Sequence, residues 1–131
     1  MTIEKTITGI AGLDQISHGG LPKGRTTMVS GSAGSGKTVM AGQFLVAAIT
    51  EDDAAGVFVT FEEPPVDIAR NLSSFGWDID GWTEQGKWTF IDASMQTTVG
   101  TTIVGEYAFA ALMARIEDAV RRTGATRIVM D

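Results

Sequence analysis

Eight consecutive residues constrain this chain more than any other feature. Gly31-Ser32-Ala33-Gly34-Ser35-Gly36-Lys37-Thr38 is an ungapped G-x-x-x-x-G-K-[ST]. The glycines let the backbone turn tightly enough for successive N–H groups to converge on one anion. Lys37 adds a flexible positive charge suited to β- and γ-phosphates, and the Thr38 hydroxyl suits Mg2+. Such a loop works between a strand and a helix whose positive N-terminal end faces the same anion. Both flanks fit. Thr26 to Ser30 is a short apolar run headed by β-branched residues, which predicts a buried strand. Thr38 to Thr50 is dense in Ala, Val, Leu, Phe and Met nearly all round, which predicts a buried helix. The expected ligand is a nucleoside triphosphate, ATP with Mg2+.

Strand and helix patterns then alternate. Gly56 to Phe61 predicts a second strand, and Pro64-Pro65 open a helix at its permitted first turn. Ile68, Leu72 and Phe75 recur at helical spacing before a capping Gly76. Trp88 to Ile91 predicts a third strand. Glu106 to Arg122 predicts a helix with Phe109, Leu112, Met113, Ile116 and Val120 on one face, closed by Gly124. Arg127 to Met130 predicts a fourth strand, ended by Asp131. Apolar strands without polar alternation imply burial on both faces. The fold class is therefore α/β, a mostly parallel sheet with helices on both faces.

Such sheets place ligands at the carboxyl ends of their strands. Glu62 and Glu63 close the second strand. As neighbours in an extended segment they should point to opposite sides, so at most one faces the γ-phosphate directly. A carboxylate there can orient or deprotonate an attacking water. From position alone, an acid favoured by the helix dipole fits the pair equally well. Asp131, following an apolar strand, is expected as the second protein partner of Mg2+ beside Thr38.

Composition narrows the alternatives. The chain has no cysteine, which excludes disulfides and Cys-based metal sites, and its single histidine, His18, sits among turn glycines as a loop residue. The net charge of −6 is concentrated in residues 51–100, which carry ten acidic and two basic side chains. That makes the middle of the chain a poor partner for a phosphate backbone, so nucleic acid is disfavoured. Trp77, Trp82 and Trp88 read as a local apolar cluster. Arg121-Arg122 fall in a helix's last turn, where the dipole accounts for them. The polar N-terminus carries no signal-peptide pattern, and no apolar run reaches the roughly 18 residues needed to span a bilayer. No membrane association is expected, and the default location is the cytoplasm.

Several stretches together carry a family resemblance. Gly9-Ile10-Ala11-Gly12-Leu13-Asp14, Gly19-Gly20-Leu21-Pro22-Lys23-Gly24, the P-loop, and Val57-Phe58-Val59-Thr60-Phe61-Glu62-Glu63-Pro64 resemble the KaiC-like ATPases of the RecA superfamily. Asp67-Ile68, Ser74-Phe75-Gly76-Trp77-Asp78, Gly86-Lys87 and Ile91-Asp92-Ala93-Ser94 extend it over nearly the whole chain. The resemblance is strongest to the first of that family's two tandem ATPase domains. It implies a RecA-like P-loop fold and Glu62 as the general base, assisted by Glu63. Phosphate binding would fall to Gly34, Ser35, Gly36, Lys37, Thr38 and Val39, with Ser74 contacting the nucleotide from the following helix.

The same resemblance implies a homo-oligomer, a hexameric ring with ATP between subunits, whose ATP state protein partners can read. Autokinase activity is a further implication for the full-length protein. Residues 1–131 are then expected to be the N-terminal part of one ATPase domain, truncated after the Walker B strand that ends in Asp131. A further strand normally separates that strand from the P-loop strand. Without it, either a second copy fills the gap or the two strands pair directly. Two other readings stand beside an ATPase: an assembly module whose ATP mainly cements a ring, and a recombinase-type DNA-binding ATPase, which the acidic middle disfavours.

Overall fold

Val57, Phe58 and Val59 place β-branched and aromatic side chains on both faces of one strand, so that strand must be covered twice. The structure, a computed structural model, describes residues 3–94 and 102–131. Met1 and Thr2, at the head of the polar N-terminus, lie outside the described residues. The elements in chain order are β1 (Lys5–Thr6), α1 (Ala11–Ile16), β2 (Leu21–Pro22), α2 (Lys37–Asp52) and β3 (Gly56–Thr60). Then follow α3 (Pro65–Ser73), α4 (Ile79–Glu84), β4 (Trp88–Asp92), α5 (Thr102–Thr123) and β5 (Arg127–Met130).

β3 is the centre of a three-stranded parallel sheet in the order β4-β3-β5. Phe58 sits opposite Phe90 on one side and Val129 on the other. Phe58 points into one layer with Leu45, Ile49, Ile68, Leu72, Ile79 and Trp88, drawn from α2, α3, α4 and β4. Val57 and Val59 point into the opposite layer with Ile91, Leu112, Ile116 and Ala119, so α5 covers that face. Helices therefore lie on both faces, as predicted. Burying a side chain such as Phe58 contributes about 1.5–3 kcal/mol. Gly56 lets α2 come close: a Cβ there would lie 2.7 Å from Leu45 Cδ2.

The tryptophans form the predicted cluster. Trp88 stacks on Phe58 at 5.9 Å and on Trp82 at 6.5 Å, and Trp77 stacks on Phe75 at 5.1 Å. α4, which the sequence patterns did not predict, starts at Asp78, whose carboxylate accepts the Gly81 N–H at 3.2 Å. α1 was likewise unpredicted and lies between the two strands of the small antiparallel β1–β2 hairpin.

Two expectations are corrected. Thr26–Ser30 is not a strand; it is exposed and irregular, with Met28 89% exposed. β3 is paired on both sides by β4 and β5, and the run joins neither outer edge of that sheet, so among the described residues it forms no ladder. Direct pairing of this run with the Asp131 strand is thereby excluded in this structure. Phe109 leaves the predicted buried face of α5 and is 65% exposed, because the packed stripe begins only at Leu112.

Candidate nucleotide site

The P-loop leads into α2 through two glycines in the left-handed region, Gly34 at φ 81° and Gly36 at φ 93°. Other residues would be strained in these conformations. Gly31 is close to the turn: a Cβ there would lie 2.6 Å from Ser35 Oγ and would make that hydroxyl rotate away. The Ser35 N–H closes the turn onto the Ser32 carbonyl at 3.2 Å. Gly36 is the N-cap of α2, with no side chain capping the helix and no acid in its first turn. The orphan N–H groups and positive dipole of this helix start are left available to an anion. Lys37 folds over the loop, its ammonium donating to the Gly31 carbonyl. Val39 is partly buried against the core and also lines the depression beside the loop.

Thr38 and Asp131 meet across 93 residues of sequence, the hydroxyl donating to the carboxylate at 2.7 Å. Asp131 is fixed by its own backbone, which continues the β5–β3 ladder. Its N–H donates to the Val59 carbonyl, and its carbonyl accepts from the Phe61 N–H, both at 2.9 Å. The donor set is a hydroxyl and a carboxylate, hard oxygens suited to Mg2+, which keeps few protein ligands and takes the rest from phosphates and water. Among the described residues no three His, Cys, Asp or Glu side chains gather to form a fuller metal cage. The chemistry at this point therefore fits Mg2+ carried with a nucleotide.

The glutamate pair follows directly. Glu62 is one residue past Phe61, which is bonded to Asp131, so both glutamates lie at the carboxyl ends of β3 and β5. They do not stand in an extended segment. The Thr60 hydroxyl donates to the Glu63 carbonyl at 2.7 Å, the chain bends over 61–63, and both glutamates are exposed. Strand alternation therefore no longer separates their roles. Ser74 sits at the opposite end of α3, where its hydroxyl donates to the Asn71 carbonyl at 2.6 Å.

The family model described as "ATPase: KaiC" matches residues 6–131. The chain belongs to the KaiC ATPase family. It is 54% identical to the circadian clock protein KaiC3 of Synechocystis sp. over 98% of its own length and 25% of that protein's. It is 48% identical to the circadian clock oscillator proteins KaiC of Thermosynechococcus vestitus and Synechococcus elongatus, again over 98% of the chain and 25% of each relative. The chain thus spans about a quarter of the length of these curated relatives. Its RecA-like P-loop fold is that of the KaiC family. No helix among the described residues is long and apolar enough to cross a membrane.

In this KaiC-family chain the structure also brings forward residues whose roles the patterns left unread. Asp14 binds the N-terminal segment, accepting from the Thr8 N–H at 2.8 Å, the Thr8 hydroxyl at 2.7 Å and the Gly9 N–H at 3.1 Å. Gln43 of α2 donates to the Gly9 carbonyl at 3.0 Å. Gly9 passes so close to α2 that a Cβ would lie 2.7 Å from that of Ala47. A depression of about 490 Å3 consequently runs from Gly31, Ser35 and Lys37 to Ile10 and Gln43. No local spacing could have announced a partnership between Asp14, Gln43 and the loop; Gly9 and Asp14 stood out only through the family resemblance.

Proposed function

We propose that this chain binds ATP with Mg2+ in the Gly31–Thr38 loop and that the complete domain hydrolyses it by water attack on the γ-phosphate. The observation that carries the reading is the 2.7 Å contact between Thr38 and Asp131, beside an uncapped helix start. In this reading the backbone N–H groups from Gly34 to Val39 hold phosphate oxygens, and Lys37 leaves the Gly31 carbonyl to reach the β- and γ-phosphates. Thr38 and Asp131 hold Mg2+, which supplies charge neutralisation at the phosphates. Glu62 takes the proton of the attacking water and Glu63 orients it; Ser74 contacts the nucleotide after giving up its bond to Asn71.

Residues 1–131 form, in this proposal, the N-terminal part of one ATPase domain. By the family resemblance, the full-length protein works as a homo-oligomeric, six-membered ring in the cytoplasm. Its ATP state is available to protein partners, and autokinase activity belongs to the same reading of the full-length protein. A clock role is proposed from the names of the relatives alone.

Phosphate release by the full-length protein tests the chemistry. Glu62→Gln should retain nucleotide binding and slow release by on the order of 10²-fold or more, because the amide keeps the shape but takes no proton. A slower Glu63→Gln would reverse the two roles. Unchanged rates in both variants would leave the nucleotide as an assembly ligand.

A further inference from the structure

Arg127 is buried, at 5% exposure, at the start of β5, the end of the strand far from the nucleotide site. Its guanidinium donates to the Phe44 carbonyl of α2 at 2.7 Å and lies over the Phe44 ring at 4.4 Å. The Asp52 carboxylate, at the far end of α2, is 4.0 Å away. Burial lowers the Arg127 pKa, and Asp52 and Asp14 oppose that shift. A guanidinium keeps its charge even so.

A cheaper side chain would fill this space. A well-packed apolar residue of similar volume is often as stabilising as a buried charge. What arginine adds is direction: a planar fork that bonds a carbonyl while stacking on a ring. The partner is the helix that begins with Lys37 and Thr38. α2 and β5 are therefore joined at two points, Phe44 to Arg127 and Thr38 to Asp131. The joints are about 9 Å apart along the helix and about 13 Å apart along the strand, from the rise per residue of each element. β5 is itself held by its ladder to β3 through Asp131, so the freedom left to the pair is that of α2 over the sheet. Joined to β5 at both points, α2 resists pivoting about either one.

We propose that Arg127 is a positioning residue for the metal pair: it fixes α2 against the laddered β5 so that Thr38 stays within bonding distance of the Asp131 carboxylate. The inference rests on the Mg-nucleotide reading of that pair. Arg127 touches neither phosphate nor metal. Its loss should therefore weaken the Mg2+-dependent part of nucleotide affinity and spare the part due to the P-loop backbone and Lys37.

The test is calorimetric titration of ATP into the full-length protein, with Mg2+ and with EDTA, for wild type, Arg127→Met and Phe44→Leu. Phe44→Leu removes the ring beneath the guanidinium and leaves Arg127, Thr38 and Asp131 in place. In Arg127→Met the gain in affinity on adding Mg2+ should fall about fivefold or more, with affinity in EDTA within about twofold of wild type. Phe44→Leu should move in the same direction by about twofold. Arg127→Lys should recover only part of the loss, because its ammonium cannot both stack and fork. If Arg127→Met does not fold, Phe44→Leu carries the test. An unchanged Mg2+ gain in the folded variants overturns the proposal, as does a parallel loss with and without Mg2+, which marks a merely structural residue. A wild type that binds ATP equally with and without Mg2+ contradicts the metal reading itself, and the positioning role with it.

Discussion

Thr26–Ser30 and Arg127–Met130 are similar short runs, both carrying β-branched side chains and a methionine, yet they end in opposite states. Arg127–Met130 lies along β3 in a continuous parallel ladder that extends to Asp131. Thr26–Ser30 has no ladder, and Met28 and Val29 are 89% and 47% exposed. Composition permits a strand in both places, but only Arg127–Met130 is laddered; Thr26–Ser30 takes neither open outer edge of the sheet. A run that forms no ladder has its backbone groups satisfied elsewhere. The contrast also shows what holds the P-loop. The loop is anchored through α2, which is packed into the core, and through the Thr38–Asp131 contact, while the segment leading into it is loose.

Truncating the loose run and the strand on which Arg127–Met130 is laddered gives the widest separation. Phe58→Ala removes a fully buried ring stacked on Trp88 and should cost about 3–5 kcal/mol in urea unfolding. Met28→Ala should stay within about 0.5 kcal/mol. Comparable costs at the two sites would mean that Thr26–Ser30 is packed in solution, and the contrast would break.

A smaller effect sharpens the boundary between the two regimes. The segment before the loose run is itself tied to α2 through Gly9, and Asp14 shapes it. Burial works to raise the Asp14 pKa. Hydrogen bonds from the Thr8 hydroxyl and from the Thr8 and Gly9 N–H groups, with the charge of Arg127, hold it below the usual carboxylate value. A depressed folded pKa means that this contribution is present above the ordinary Asp value of about 3.9 and is lost as pH falls through the folded pKa. Asp14→Asn should cost about 1 kcal/mol at neutral pH and flatten the stability profile on that acid arm. An unchanged acid arm would show that Asp14 does not hold Thr8–Ile10.

Much of this was legible in the sequence where local pattern and tertiary demand agree. The run Val57-Phe58-Val59 had to be a doubly covered strand, Pro64-Pro65 had to open α3, and the P-loop glycines had to let the chain turn tightly, as Gly34 and Gly36 do in left-handed conformations. The sequence could not show whether Thr26–Ser30 would find an edge, because edges belong to the assembled sheet. α4 was hidden by Gly81 inside it, which weakens a helical pattern yet is what allows the Asp78 cap: a Cβ at Gly81 would lie 2.1 Å from Asp78 Oδ2. At the site, Lys37, Thr38 and Asp131 were legible because their chemistry is tied to a motif and a strand end. Arg127 was not, because its role depends on a helix carbonyl 83 residues away.

The central claim is that a loop anchored from its helix side grips Mg-ATP, and calorimetry on Lys37→Ala tests it most directly. ATP with Mg2+ is titrated into the full-length wild type and the variant, whose unfolding midpoints are compared first. Lys37 lies at the start of α2 and contributes no core contact, so the variant should fold normally. The account predicts binding to the wild type and no measurable binding to Lys37→Ala, which loses the side-chain charge aimed at the β- and γ-phosphates. Equal affinity in a folded Lys37→Ala would contradict it.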